Sequence, residues 1–114
     1  MPASITAVAT TGAPAAVGPY SQAVSTGEGS GAIVHVSGQV PLDPTTGALV
    51  DGGVRAQAER VLTSIGAILE AAGLGYDDVV KTTVLLTDIA DFAAVNDVYA
   101  RFFTAPVLPA RAAF

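Results

Sequence analysis

The pattern of apolar and polar positions is organised around residues 77–88, Asp-Asp-Val-Val-Lys-Thr-Thr-Val-Leu-Leu-Thr-Asp, the longest run dominated by β-branched and aliphatic residues. Such a run predicts a central strand. Strand side chains alternate, so Val80, Thr82, Val84 and Leu86 share one face and Val79, Lys81, Thr83, Leu85 and Thr87 the other. Both faces are nearly equally buriable. A helical pattern precedes the run over residues 54–72, where Val54, Ala58, Val61, Leu62, Ile65, Ile68, Leu69 and Ala72 recur at three-and-four spacing. Another follows over residues 91–103, with Phe92, Val95, Tyr99 and Phe102 as its apolar stripe. Two helices can cover one side of a sheet. A chain of 114 residues leaves the other side without a third layer, which predicts burial against a partner subunit.

The remaining segments predict shorter elements. Residues 4–11 alternate loosely as an edge strand, and Gly18-Pro19-Tyr20-Ser21-Gln22 turns the chain into a strand running to about Val24. The glycine-rich stretch 26–31 is a hairpin turn and 32–37 the returning strand. After the turn-rich Pro-Leu-Asp-Pro-Thr-Thr-Gly of residues 41–47, Leu49 and Val50 form a brief return strand. Asp51 is a candidate cap and Gly73 a candidate stop for the first helix, while Asp88 or Asp91 caps the second. A final strand begins at about Arg111. The whole reads as one α+β domain.

Charge narrows the function. Ten acidic residues oppose five Lys or Arg, for a net charge of −5, so a surface built to neutralise phosphates is not expected, and neither is nucleic acid as a partner. Hydrophobic residues make up 51% of the chain, but no apolar run approaches the roughly 20 residues of a membrane helix. The amino end lacks a basic segment followed by an apolar one, so a cytoplasmic location is the default expectation. There is no cysteine, hence no disulfide, thiolate nucleophile or Cys-ligated zinc. Glycine-rich phosphate loops, Gly-x-Ser-x-Gly elbows and paired carboxylates in an evident cleft are also absent from the sequence.

Five places carry candidate chemistry. Tyr20, directly after a Gly-Pro corner, is either a pocket wall or a ring packed at the sheet end. Ser37-Gly38 closes a strand where exposed amides can meet a ligand, with Gly38 permitting close approach. His35, the single histidine, has no neighbouring ligand cluster and reads as a structural, half-buried imidazole. Asn96 sits one turn beyond Phe92 beside the apolar stripe, where an amide is solvated or bonded to a neighbouring loop. Arg111, flanked by Pro109, Ala110, Ala112 and Ala113, needs either a distant carboxylate or a bound anion.

Taken together, Gly18-Pro19-Tyr20-Ser21-Gln22, Val36-Ser37-Gly38-Gln39, Ala71-Ala72-Gly73-Leu74, the run from Asp78 to Val84, the run from Asp91 to Asn96 and Pro109-Ala110-Arg111 resemble the RidA, or YjgF, family of enamine and imine deaminases. The six motifs occur in order over nearly the whole chain. The resemblance implies a chorismate-mutase-like two-layer α+β fold, a mixed β-sheet with two helices on one face, assembled as a homotrimer with active sites between subunits. It implies hydrolysis of 2-aminoacrylate and related imine acids, released by PLP-dependent dehydratases, to 2-keto acid and ammonia, as by a 2-iminobutanoate/2-iminopropanoate deaminase. No cofactor or metal is implied.

By the same resemblance Arg111 holds the substrate carboxylate and Tyr20 reaches into the site. Ser37 and Gly38 contribute at the strand end, Asn96 lines the helix wall, and Ala113 stands where many members carry a cysteine that offers mainly its backbone. Members continue through a further strand bearing a glutamate that orients the attacking water; this sequence stops at Phe114, so residues 1–114 are expected to be one RidA-like domain short at its C-terminal end. The competing expectations are a non-catalytic binder of small 2-keto or amino acids and, less favoured by the charge, a ribonuclease.

Overall fold

The computed structural model describes residues 4–114. Three short strands come first, β1 (Ile5–Val8), β2 (Ala23–Thr26) and β3 (Ile33–Val36). They form an antiparallel sheet in the order β1-β2-β3. Register places Val8 opposite Ala23 and Ala23 opposite Val36, so these three share one face, because laterally paired residues point the same way. That face meets helix α1 (Gly53–Ala71), whose fully buried Ile68 packs with Ala13, Ala23, Val8, Val34 and Val36. Burying one such side chain contributes roughly 1.5–3 kcal/mol.

The second half contributes β4 (Lys81–Val84), helix α2 (Phe92–Phe102) and β5 (Ala110–Ala113), with β4 and β5 pairing in parallel. Leu62 of α1, Val98 of α2 and Phe103 form the second core cluster, joined by Ile65, Tyr76, Val79, Tyr99 and Phe102. Helix α1 ends as its sequence predicts. Gly73 takes φ +77°, its N–H donates to the Glu70 carbonyl, and the Leu74 N–H donates to that of Leu69. The N-terminal end differs: Gly52, not Asp51, is the cap, and no side chain accepts a hydrogen bond there.

The expected single mixed sheet is replaced, among the described residues, by one antiparallel and one parallel sheet within an α+β fold. The predicted twelve-residue strand is also shorter, because its acidic ends bond locally to backbone. Asp78 accepts from the Gly75 N–H at 2.9 Å and closes a 3₁₀ turn over Tyr76–Asp78; Asp88 accepts from the Ala90 N–H at 2.9 Å and opens the turn Ile89–Asp91 that leads into α2. Between these turns the ladder extends just past the strand ends, through Ala110 N–H to the Val80 carbonyl and Leu86 N–H to that of Phe114. The turn expected over residues 18–22 is there, with the Tyr20 N–H donating to the Gly18 carbonyl, but the strand it leads into runs Ala23–Thr26, past the expected end at Val24; Leu49 makes an isolated antiparallel bridge with Leu42.

Thr82, Val84 and Leu86 are half-buried, so the open side of β4 is the alternate one, Lys81, Thr83 and Leu85. On the three-stranded sheet the open face carries Ile5, Ile33 and His35. Exposures of 69%, 60% and 71% for Ile5, Ile33 and Leu85 show that this layer is bare within one chain. His35, expected half-buried, is exposed because its alternation places it here, opposite Val24.

Candidate active site

Pro109 leads into β5 and has no N–H to spend on the ladder, so the first pairing donor is Ala110, bonded to Val80. This register sets Arg111 opposite Thr82 on the face turned toward α2. From α2, Phe92, Asn96 and Tyr99 come to meet it, three residues at i, i+4 and i+7 on one helix face. The Arg111 guanidinium carbon lies 5.4 Å from the Phe92 ring centre and 4.9 Å from that of Tyr99. One of its nitrogens, Nη1, donates to Asn96 Oδ1 at 2.7 Å. Tyr99 is itself fixed, sharing a 2.8 Å hydrogen bond with Thr82 Oγ1 and lying 4.4 Å from the Phe103 ring.

Among the described residues no carboxylate of this chain forms an ion pair with Arg111. The ion pair among the described residues is Arg55 with Asp97 at 2.9 Å, on the exposed outer surface of the helices. Two ring faces and an amide oxygen stabilise the Arg111 cation without cancelling its charge. Of the five N–H donors of a guanidinium, one is used by Asn96. The others remain for an anion in a cleft of ≈ 360 Å³ lined by Asn96, Tyr99, Ala100, Phe103, Leu108, Pro109 and Arg111.

Arg111 and Asn96 are therefore brought together. Apart from Ala113, the other candidates lie elsewhere. Tyr20 folds back over Gly18, accepts a 3.4 Å hydrogen bond from the Val17 N–H, and lines a separate cavity of ≈ 490 Å³ with Ser21, Gln22 and residues of β1. Ser37 Oγ donates to the Ser21 carbonyl at 2.6 Å and its N–H to that of Gln22 at 2.9 Å, so its hydroxyl ties two strand ends together. Among the described residues beyond its own chain neighbours, nothing lies within 4 Å of where a Cβ on Gly38 would sit; the close approach expected there is not made by these residues. Ala113 pairs with Val84, half-buried, two residues along the same face from Arg111. No cluster of metal-ligating side chains occurs among the described residues.

Two residues escaped the sequence reading. Tyr99 counts as core by periodicity, and only the register of β5 shows that its ring faces a cation. Gln22 is buried and bonds four times to the preceding connector: its Oε1 accepts from Thr10 N–H at 2.6 Å, and Nε2 donates to the carbonyls of Thr10, Ala13 and Pro14 at 3.0, 3.3 and 2.8 Å. It fixes the segment that ends in Tyr20.

The family model described as Endoribonuclease L-PSP matches residues 10–114. The chain belongs to the RidA family. It is 51% identical to the mouse 2-iminobutanoate/2-iminopropanoate deaminase over 107 residues, covering 94% of this chain and 76% of that protein. Among solved structures, RidA from the Antarctic bacterium Psychrobacter sp. superposes with a TM-score of 0.86 at 49% identity, covering 96% of this chain and 84% of that one. Another RidA-like structure, Escherichia coli TdcF with bound serine, gives 0.84 at 39% identity over the same shares. At these identities the likeness extends beyond fold to sequence across almost the whole chain.

Proposed function

We propose that the chain is a hydrolytic deaminase of small imine and enamine acids, converting 2-aminoacrylate to pyruvate and ammonia and 2-iminobutanoate to its keto acid. The observation that carries this reading is Arg111: a cation without a carboxylate partner, clamped by Phe92, Tyr99 and Asn96, with donors free beside a small cleft. The mouse relative is named for this activity, and TdcF holds serine, a small molecule with a carboxylate.

In an acidic chain the general field repels such substrates, so binding must come from a local, partly dehydrated cation. The planar fork of Arg111 suits two parallel hydrogen bonds to a carboxylate. Once the enamine tautomerises, its imine carbon is electrophilic; water adds to it, and the carbinolamine collapses with loss of ammonia. The protein's work is to orient the acid and admit water, without a covalent nucleophile. Small carboxylates of this kind are released by PLP-dependent dehydratases, which makes a cytoplasmic setting the natural one.

The reading extends to assembly. Arg111 and Asn96 line one cavity and Tyr20 another, with Ser37 hydrogen-bonded beside Tyr20 to the Ser21 carbonyl; a second copy that supplies one of these groups would bring them into a shared site. The bare face carrying Ile5, Ile33 and Leu85 gives that copy a surface to cover. A chorismate-mutase-like arrangement closed as a homotrimer meets both needs. Sedimentation at micromolar concentration should give a trimer, and a stable monomer would remove this part of the proposal.

A non-catalytic binder is the second reading, favoured by one observation: the residues lining the Arg111 cleft include no carboxylate to orient water. The deciding experiment generates 2-aminoacrylate with a dehydratase and follows pyruvate. Release faster than the spontaneous rate supports the deaminase; a rate equal to it, with a 2-keto acid still bound, supports the binder. The net charge of −5 speaks against RNA as the substrate.

A further inference from the structure

Arg111 is exposed as a residue yet its guanidinium is confined, and the confinement closes a ring of contacts. Arg111 of β5 is the register partner of Thr82 on β4. Thr82 Oγ1 shares a 2.8 Å hydrogen bond with the Tyr99 hydroxyl on α2. The Tyr99 ring faces the Arg111 guanidinium at 4.9 Å. Strand pairing, a hydroxyl bridge and a cation–π contact thus join three elements around one charge.

Each link alone is soft. A cation over a ring can slide, and the Tyr99 ring could turn about its own side-chain torsions if only Phe103 leaned on it. The hydroxyl bridge removes that freedom, because it ties the far end of the ring to the strand adjacent to the arginine. With the ring fixed on one side and Asn96 Oδ1 taking Nη1 on the other, the guanidinium plane has one preferred direction. Thr82 does not line the cleft and so acts only through Tyr99.

We infer that Thr82 is a positioning residue for carboxylate binding, holding the Tyr99 ring, and through it the Arg111 fork, in the orientation that receives a substrate acid. This rests on the proposed role of Arg111 and deepens it. A threonine in the middle of a strand otherwise reads as a β-former with a hydroxyl to satisfy; here the choice of hydroxyl over a second methyl has a consequence for the ligand. The same shape without the oxygen, valine, would pack equally well against α2 and leave the ring free to swing.

The test uses Thr82→Val, Thr82→Ser and Arg111→Ala, each titrated calorimetrically with 2-ketobutyrate and assayed with 2-iminobutanoate. Loss of one hydrogen bond's worth of orientation predicts that Thr82→Val weakens 2-ketobutyrate binding about fivefold and raises KM in step. Its kcat stays within about twofold, since no group near the reacting carbon has changed. Thr82→Ser restores binding to within about twofold of the parent, which a requirement for mere packing would not produce, because serine packs worse than valine. Parent-like affinity in Thr82→Val, or equal weakening in Thr82→Ser and Thr82→Val, overturns the inference while leaving Arg111 in place. Parent-like affinity in Arg111→Ala overturns the reading of the site itself and this inference with it.

Discussion

Alanine in place of glycine inside a nineteen-residue helix such as α1 ordinarily stabilises it, by about 1 kcal/mol. At Gly66 the structure predicts the opposite. A Cβ at this position would fall 2.8 Å from Cζ of Tyr76 and against its hydroxyl oxygen, inside any tolerable contact, and the ring cannot step aside without loss. Its hydroxyl donates to the Leu62 carbonyl at 2.6 Å, and its ring meets those of Phe102 and Phe103 edge-on, both at 5.6 Å between centres. Overpacking of this kind costs about 1–3 kcal/mol. The hydrogen bond adds about 1 kcal/mol, and two disturbed aromatic pairs add about 0.5–1.5 kcal/mol each. Against a propensity gain of about 1 kcal/mol, Gly66→Ala should destabilise by roughly 2–6 kcal/mol. Urea unfolding should show this as a lower midpoint at unchanged slope. In a Tyr76→Leu background, where the obstructing ring is gone, the same substitution should cost less than half as much. A Gly66→Ala chain as stable as its parent would refute the packing argument and leave helix propensity as the ruling effect.

Tyr76 also predicts a pH dependence. Burial raises its phenol above the ordinary value of 10.0, with the Gly66 backbone offsetting part of the rise. A group raised in the folded state favours folding fully below its unfolded value, and that stability is lost as pH rises through 10 and on through the folded value. Stability should therefore fall more steeply between about pH 9 and about pH 11 in the parent than in Tyr76→Phe, and equal slopes would contradict the assignment. Gln22→Leu leaves the Thr10 N–H and the carbonyls around it without their partner, which should cost roughly 2–4 kcal/mol in thermal or urea unfolding. A loss below half a kilocalorie would mean that water replaces the amide freely.

Both helices, the first hairpin and the strand at Arg111 were legible because their signals are local: three-and-four spacing, a glycine-rich turn, and Gly73 as a stop. The long β-branched run misled on length for an equally local reason. Asp78 and Asp88, which bound it, bond to backbone N–H groups of their own turns and take those residues out of the strand. That Arg111 and Asn96 line one pocket was expected only through family resemblance, and the hydrogen bond between them, across fifteen residues of sequence, was not expected at all. Tyr99 was hidden because a stripe at helical spacing cannot distinguish a ring facing the core from one that also faces a cation. Gln22 carried one faint signal, an amide placed directly before an apolar strand, where a buried polar side chain must find partners.

The central claim is that Arg111 receives the substrate carboxylate through a fixed, planar pair of donors. The most direct measurement compares pyruvate release from dehydratase-generated 2-aminoacrylate by the parent, Arg111→Lys and Arg111→Ala, with sedimentation run on each to show that assembly is unchanged. Lysine keeps the positive charge but offers no parallel donors and no flat face for Phe92 and Tyr99. The account predicts that both variants fall to the spontaneous rate. Parent-like turnover in Arg111→Lys would reduce the site to a point charge, and parent-like turnover in Arg111→Ala would contradict the claim outright.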